Sequence, residues 1–270
     1  MLLSDIVARA LEEDVGNGDI TTLSTVPADA TATARIVAKQ ELVVAGHAPA
    51  AEVFRQVGAT YEVAAAEGTR VQPGTVVSRI SGPARAMLTG ERLALNFMMR
   101  LCGIATHTNN TVKLAGERMR VVDTRKTTPL MRALERGAVR TGGGMNHRFA
   151  LYDGVLIKDN HIKAAGSVAA AVQAARGAAH HLVKIEVEVE DLAQLQQCLD
   201  LGVDVVLLDN MSNETLREAV RINNGRALLE ASGNMSAERL PALAEIGIDI
   251  VSIGGLIHQA TWADLSMRFD

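Results

Sequence analysis

The chain has 270 residues, 48% of them hydrophobic, and a formal net charge of −4 at pH 7. That is enough apolar material for a substantial core, in one large domain or a small domain plus a barrel. The acidic balance and the 3% aromatic content argue against a general binder of nucleic acid or anionic membrane, which needs basic excess or an aromatic stacking surface. Any anion site has to be a local basic pocket.

The first stretch, MLLSDIVARALEEDVG, places Leu3, Ile6, Val7, Ala10 and Leu11 at helical spacing. It lacks the basic segment and apolar core of a signal peptide, and no run is long enough for a membrane span. From Thr31 to Pro83 the text is strand-like: TATARIVAK alternates, ELVVAG is a short apolar run, and EGTRVQPGTVVSRISG punctuates β-branched segments with Gly and Pro. HAPAAEVFRQVG interrupts it as a helix, giving an α+β module of roughly a hundred residues. A long helix is expected next, bridging two domains, with Thr89 as N-cap, Leu93, Phe97, Leu101 and Ile104 on one face, and an end near Gly116.

Beyond it the pattern alternates between strand and helix. Apolar runs at RVVDT, DGVLIK, KIEVEV, VDVVLLD, ALLEAS and IDIVSIG are separated by helical LMRALERGAV, SVAAAVQAAR, DLAQLQQCLDLG, NETLREAVRI and LPALAEIG, the last starting close to Pro241. Alternating β and α with fully apolar strands implies a parallel sheet covered by helices. The runs end in Asp123-Thr124-Arg125-Lys126, in Lys158-Asp159-Asn160, in Glu186 and Glu188, in Asp209-Asn210, in Glu230 and Ser232, and in Gly254-Gly255. In a parallel barrel such ends converge on one mouth, where active sites sit. Six βα units leave two architectures open, a shortened barrel and an open doubly wound sheet.

Arg125, Lys126, His147, Arg148 and Lys158 gather at these ends in an otherwise acidic protein. Guanidinium forks and lysine point charges suit a ligand with several carboxylates or phosphates; the plainer reading pairs them with Asp123, Asp153 and Asp159. Glu186 and Glu188 share a strand face and, with Asp209, form an acidic side fit for Mg²⁺ or sugar hydroxyls; the plainer reading is a salt-bridged strand end. Gly142-Gly143-Gly144 reads as a helix stop, and neither a phosphate loop nor a nucleophile elbow is present. His47, His107, His180 and His181 have no metal-ligand spacing, and Cys102 and Cys198 have no paired spacing, which fits a reduced cytoplasmic setting.

The motifs EDVGNGDITT (13–22), ERLALNFMMRLCGIAT (91–106), DTRKTTPLMRALERGAVRTGGGMNHRFALYDGVLIKDNHI (123–162), EVEVE (186–190), LLDN (207–210), LEASGN (229–234) and DIVSIGGLIH (249–258) run nearly end to end. In that order they closely resemble the quinolinate phosphoribosyltransferase family. The resemblance implies an α/β protein: an N-terminal α+β open-faced sandwich domain over 1–100, to which a tail at about 262–270 returns, and a shortened six-stranded parallel α/β barrel over 101–261. It implies a homodimer with shared active sites, or a higher oligomer; cysteine usage and composition add the expectation of a cytoplasmic protein that binds no nucleic acid or membrane. Phosphoribosyl pyrophosphate and quinolinate would give nicotinate mononucleotide, pyrophosphate and CO₂.

By motif matching, Lys126, Lys158, Glu188 and Asp209 are the expected catalytic residues. Arg92, Arg125, Lys126, His147, Arg148 and Lys158 form the expected basic cage, Arg92 coming from the neighbouring subunit. Glu188 and Asp209 approach the phosphoribosyl group and Mg²⁺, directly or through substrate or water, while Ser232, Gly233, Gly254, Gly255 and His258 contact phosphate. Thr141, Ala150 and Gly255 stand where the resemblance leads one to expect Cys, Gly and Ala. Two alternatives share the pattern: a molybdenum-transport-associated relative using another anionic acceptor, and a silent barrel that binds phosphate or nucleotide ligands.

Overall fold

The computed structural model describes residues 2–233 and 235–270, which leaves out Met1 and Asn234, the last residue of the LEASGN motif. The strands in chain order are β1 (Thr31–Ala38), β2 (Leu42–Val43), β3 (Thr60–Val63), β4 (Arg70–Val71), β5 (Val76–Pro83), β6 (Arg120–Val122), β7 (Val155–Ile157), β8 (Ile185–Val189), β9 (Val205–Asp209), β10 (Leu228–Ser232), β11 (Ile250–Ser252) and β12 (Leu265–Phe269). Two compact units divide the chain. One gathers the chain up to Asn109 with Thr127–Gly143 and Ile257–Asp270; the other holds Asn110–Lys126 and Gly144–Leu256.

The first unit carries an antiparallel sheet of order β12-β1-β5-β3, in which β12 pairs with β1. Along β1 the alternation is physical: Ala34, Ile36 and Ala38 are buried while Thr31, Thr33 and Arg35 stand in solvent. One face is therefore open, with Arg35 registered against Arg79 and Arg268. The helix His47–Val57 packs on β3, and the helix Leu3–Val15 packs on it in turn. Phe54, Ile36, Ile80, Met87 and Met98 are fully buried in this unit.

The long helix runs Ala84–Ala115, so Thr89 lies inside it and is not its N-cap. Pro83 ends β5 with a fixed φ, the Ala84 N–H is satisfied by the Ala30 carbonyl at 2.8 Å, and Ala84-Arg85-Ala86-Met87-Leu88 are strong helix formers. The terminus needs no hydroxyl cap. Gly142 ends the helix Arg132–Thr141 and is also a packing requirement, since a Cβ there would lie 2.4 Å from the Ala105 carbonyl oxygen.

In the second unit the six remaining strands form one parallel sheet, β6-β11-β10-β9-β8-β7, joined by five ladders and curled as a shortened α/β barrel. Helices Val168–Ala178, Leu192–Asp200 and Asn213–Asn223 begin at Ser167, Asp191 and Ser212, whose side chains accept the N–H three residues on. Pro241 sits in the first turn of Leu240–Ile246. One pleat direction, including Val187, Val206, Leu208, Leu229, Ala231 and Val251, is buried and apolar. The other is set by register: Glu188, Leu207 and Glu230 form one row, Asp209 and Ser232 the next. A hydrophobic outer pleat thus frees the inner one for chemistry. Among the described residues no helix is long and apolar enough to cross a membrane.

Candidate active site

The floor of the barrel is built on β6, β8 and β10. Past β6, Met145 forms an isolated parallel bridge with Val122, which brings Asn146-His147-Arg148 to the strand ends. Asp123, fully buried, accepts the His147 backbone N–H at 3.0 Å and the Asn146 side-chain amide at 2.5 Å. His147 Nε2 then lies 3.0 Å from Glu186 and 3.7 Å from Glu230, while its Nδ1 accepts the Arg148 N–H at 2.7 Å. Both ring nitrogens are thus engaged within the protein.

Burial, with the Glu186 charge next in weight, pushes the Glu230 carboxyl up to about 7 against the opposing influence of His147 and Ser252. For His147 burial is the largest influence and opposes charge, but the Glu186 hydrogen bond and the Glu230 and Glu186 charges outweigh it and raise its pKa. An imidazolium carries a proton on both nitrogens, and the N–H donated to Nδ1 disallows one of them. While Nδ1 accepts the Arg148 N–H the ring proton sits on Nε2, facing Glu186; charging the ring, which the two carboxylates favour, requires that bond to open. His147, Glu186 and Glu230 offer atoms within 4.8 Å of one another that could hold a metal, but in this geometry that proton occupies the position. Burial, then the Arg125 charge, lowers the pKa of the Arg148 guanidinium. Two like charges held close at a strand-end mouth call for an anion.

A stability prediction follows from Glu230. Its folded pKa of about 7 lies above the unfolded value of roughly 4.3. Between those pH values the folded state keeps a proton the unfolded chain releases, so the stability it contributes, on the order of 3 kcal/mol, is present below the window and lost as pH rises through it. Glu230→Gln keeps the shape without the titration. Its Tm relative to the parent should rise from roughly pH 5 to pH 8; an offset unchanged between these pH values would contradict the raised pKa.

At the rim, Lys158 Nζ makes a direct ion pair with Glu188, whose side chain is 14% exposed against 45% for the lysine. Asp209 accepts from the Asn210 amide at 2.8 Å, and the Asn210 N–H donates to the Ser232 carbonyl at 3.0 Å. Gly233, at φ +88, follows Ser232 because a Cβ there would lie 2.0 Å from Asn210 Oδ1. Arg125 and Lys126 are exposed beside β6. Of the aspartates set against the cations, Asp159 pairs with Lys163 and Asp153 accepts the Phe149 N–H.

Gly254 and Gly255 follow β11, and His258 closes the four-residue helix Gly255–His258. Arg92 belongs to the first unit, where it lines a cleft of about 370 Å³ with Asp14, Asp19 and Thr21 of the EDVGNGDITT motif. None of the other proposed ligands lines that cleft. Sequence reasoning set Glu186 on the acidic side of the mouth and Asp123 as a plain partner of the cations, and gave Asn210 and Glu230 no role beyond standing at strand ends. All four were visible as polar strand ends, but their partners depend on register.

Two family profiles match the chain: "Quinolinate phosphoribosyl transferase, N-terminal domain" over residues 19–102 and "Quinolinate phosphoribosyl transferase, C-terminal domain" over 104–268. A Bacillus subtilis protein named probable nicotinate-nucleotide pyrophosphorylase (carboxylating) is 43% identical over 258 residues, covering 94% of this chain and 89% of that protein. The Mycobacterium leprae nicotinate-nucleotide pyrophosphorylase (carboxylating) is 40% identical, with 97% and 95% covered. The crystal structure of NadC from Streptococcus pyogenes superposes with a TM-score of 0.95 at 40% identity, covering 98% of this chain and 95% of that one.

Proposed function

The chain belongs to the quinolinate phosphoribosyltransferase family, and from that membership together with its basic barrel mouth we infer the reaction it catalyses. It transfers the phosphoribosyl group of phosphoribosyl pyrophosphate to quinolinate with loss of CO₂, giving nicotinate mononucleotide and pyrophosphate for NAD biosynthesis. The observation that carries this is the gathering of Arg125, Lys126, Arg148 and Lys158 at the strand-end mouth beside the Glu188 and Asp209 carboxylates. The names of the relatives favour it over the molybdenum-associated reading, and the assembled Lys158–Glu188 and Asp209 rim over a silent barrel.

Quinolinate carries two carboxylates and its partner a phosphate and a pyrophosphate. Arg125, Lys126, Arg148 and Lys158 offset the repulsion between two anions and orient them. His147, with both nitrogens engaged, serves by holding Arg148 in place. As pyrophosphate departs, positive charge develops at the anomeric carbon, and the carboxylates of Glu188 and Asp209 stabilise it. The pyridine nitrogen attacks in line. Once alkylated it is cationic and stabilises the carbanion left when the adjacent carboxylate departs as CO₂; a proton then completes the ring. Ser232, Gly233, Gly254, Gly255 and His258 serve phosphate contacts at the turns.

Glu188 and Asp209 are hard oxygen donors on the same face of neighbouring strands, a donor set that fits Mg²⁺ when substrate oxygens and water supply the rest. Bound through pyrophosphate, the ion would offset the leaving group's charge. The working assembly in this reading is a homodimer, with Arg92 reaching the partner's pocket. Its place in the first unit, in a cleft that holds none of the other ligands, supports that role. The buried free cysteines Cys102 and Cys198 fit a cytoplasmic setting.

Acceptor choice tests the reading. A cage built for two carboxylates loses a charge-assisted contact with nicotinate, roughly 1.5–3 kcal/mol. With Mg²⁺ and phosphoribosyl pyrophosphate, kcat/KM for nicotinate should be lower than for quinolinate by about tenfold to a hundredfold or more, and excess chelator should abolish both. Equal use of the two acceptors would show the assignment to be wrong even with the fold right.

A further inference from the structure

Arg125 and Lys126 are exposed on a segment between β6 and the helix Arg132–Thr141, and exposed ligands are only as well placed as the backbone that carries them. The segment is held from behind. Glu135, 1% exposed, accepts the Thr128 backbone N–H at 2.8 Å on Oε2 and the Thr128 hydroxyl at 2.9 Å on Oε1. Arg132 adds a bond from Nε to the Thr127 hydroxyl at 3.1 Å.

The same Glu135 carboxylate is gripped by Arg100 from the long helix, Nε at 3.0 Å and Nη2 at 2.8 Å. Arg100 has further partners. Its Nη2 donates to the Ile257 carbonyl at 2.9 Å and its Nη1 to the Ala260 carbonyl at 3.1 Å. Ile257 lies in the helix Gly255–His258, next to a proposed phosphate ligand.

We propose that Arg100 and Glu135 are positioning residues: one buried ion pair whose two arms fix the backbone of the TRKTT segment, through Thr128, and of the GGLIH turn, through Ile257 and Ala260. The role of those two segments rests on the function inferred above. Two features favour positioning over simple stabilisation. A buried ion pair recovers its desolvation cost poorly and is an inefficient way to hold two helices together; here the further bonds of Arg100 go to the Ile257 and Ala260 carbonyls and those of Glu135 to the Thr128 N–H and hydroxyl. The segment also contains Leu130 at φ +66, where a bulky side chain is strained. Such a conformation persists only where its surroundings over-determine it, and the Thr128 anchor does so two residues away.

The arms can be cut separately. Thr128→Val removes the hydroxyl bond on one arm. Arg100→Lys keeps the charge but loses the planar fork that serves Glu135 and both carbonyls at once. Hydrogen exchange on the full-length protein reads the anchoring itself: Thr128→Val should speed exchange over residues 123–131 alone, and Arg100→Lys over 123–131 and 254–260 together. Steady-state kinetics reads its service to the substrates. Thr128→Val should raise KM for quinolinate about tenfold, the worth of one charge-assisted hydrogen bond, with KM for phosphoribosyl pyrophosphate unchanged, and Arg100→Lys should raise both.

Unchanged exchange in both segments overturns the proposal. So do variants with lowered Tm and faster exchange but parental KM values, which is what a purely structural pair would give. If exchange splits as expected while the parent protein makes no nicotinate mononucleotide, the anchoring stands and the functional reading fails.

Discussion

Arg92→Ala and Arg148→Ala chains, each folded and inactive alone, should regain about a quarter of parental activity when unfolded together and reassembled in equal amounts. Arg92 lies on the helix Ala84–Ala115 in the first unit, and Arg148 at the barrel mouth in the second. If a pocket takes Arg92 from one subunit and Arg148 from the other, a mixed two-fold dimer has one pocket with both defects and one with neither. Random pairing makes about half of the dimers mixed, hence about a quarter of pockets intact. If Arg92 served its own chain, every pocket would keep one defect and mixing would restore nothing. Absence of recovery in dimers proven mixed by two affinity tags would exclude the shared site.

The second large effect concerns Lys158 and Glu188. Lys158→Met should lower kcat/KM by about 10² to 10³, the usual cost of removing one preorganised charge from a reacting centre, and Glu188→Gln by a similar factor. The pair is lopsided, with Glu188 held inward at 14% exposure and Lys158 reaching outward at 45%. Removing the lysine leaves a shielded carboxylate without its partner, so part of each single loss is the other residue's misplacement. The double variant should therefore lose far less than the product of the single losses. Losses that multiply would mean the two act independently and their contact is incidental.

Much of the fold was legible because the barrel strands are short apolar runs whose polar residues fall at one end. Glu186, Glu188, Asp209, Glu230 and Ser232 mark the mouth in the sequence alone. What stayed hidden depended on distance along the chain. That His147 meets Glu186 and Glu230 depends on the bridge of Met145 to Val122 and the bond of the His147 N–H to Asp123, which carry it to the ends of other strands, and no local pattern encodes that. Arg100 and Glu135 sit 35 residues apart in helical text, where charged residues read as solvated faces. Thr60–Val63 is largely exposed, so it lacks the buried alternation that marks β1. Thr89 misled because a hydroxyl before an apolar helical run imitates an N-cap, while the real start used Pro83 and a distant carbonyl. Asn210 and Gly233 needed the strand ends brought together before a Cβ at Gly233 could be seen to clash.

The central claim is that phosphoribosyl transfer precedes and enables decarboxylation, and quinolinate labelled in the carboxylate adjacent to the ring nitrogen tests it most directly. With phosphoribosyl pyrophosphate and Mg²⁺ present, one labelled CO₂ should appear for each nicotinate mononucleotide formed, and none from quinolinate incubated with the protein alone. Label released without phosphoribosyl pyrophosphate, or nucleotide formed with the label retained, would contradict the account.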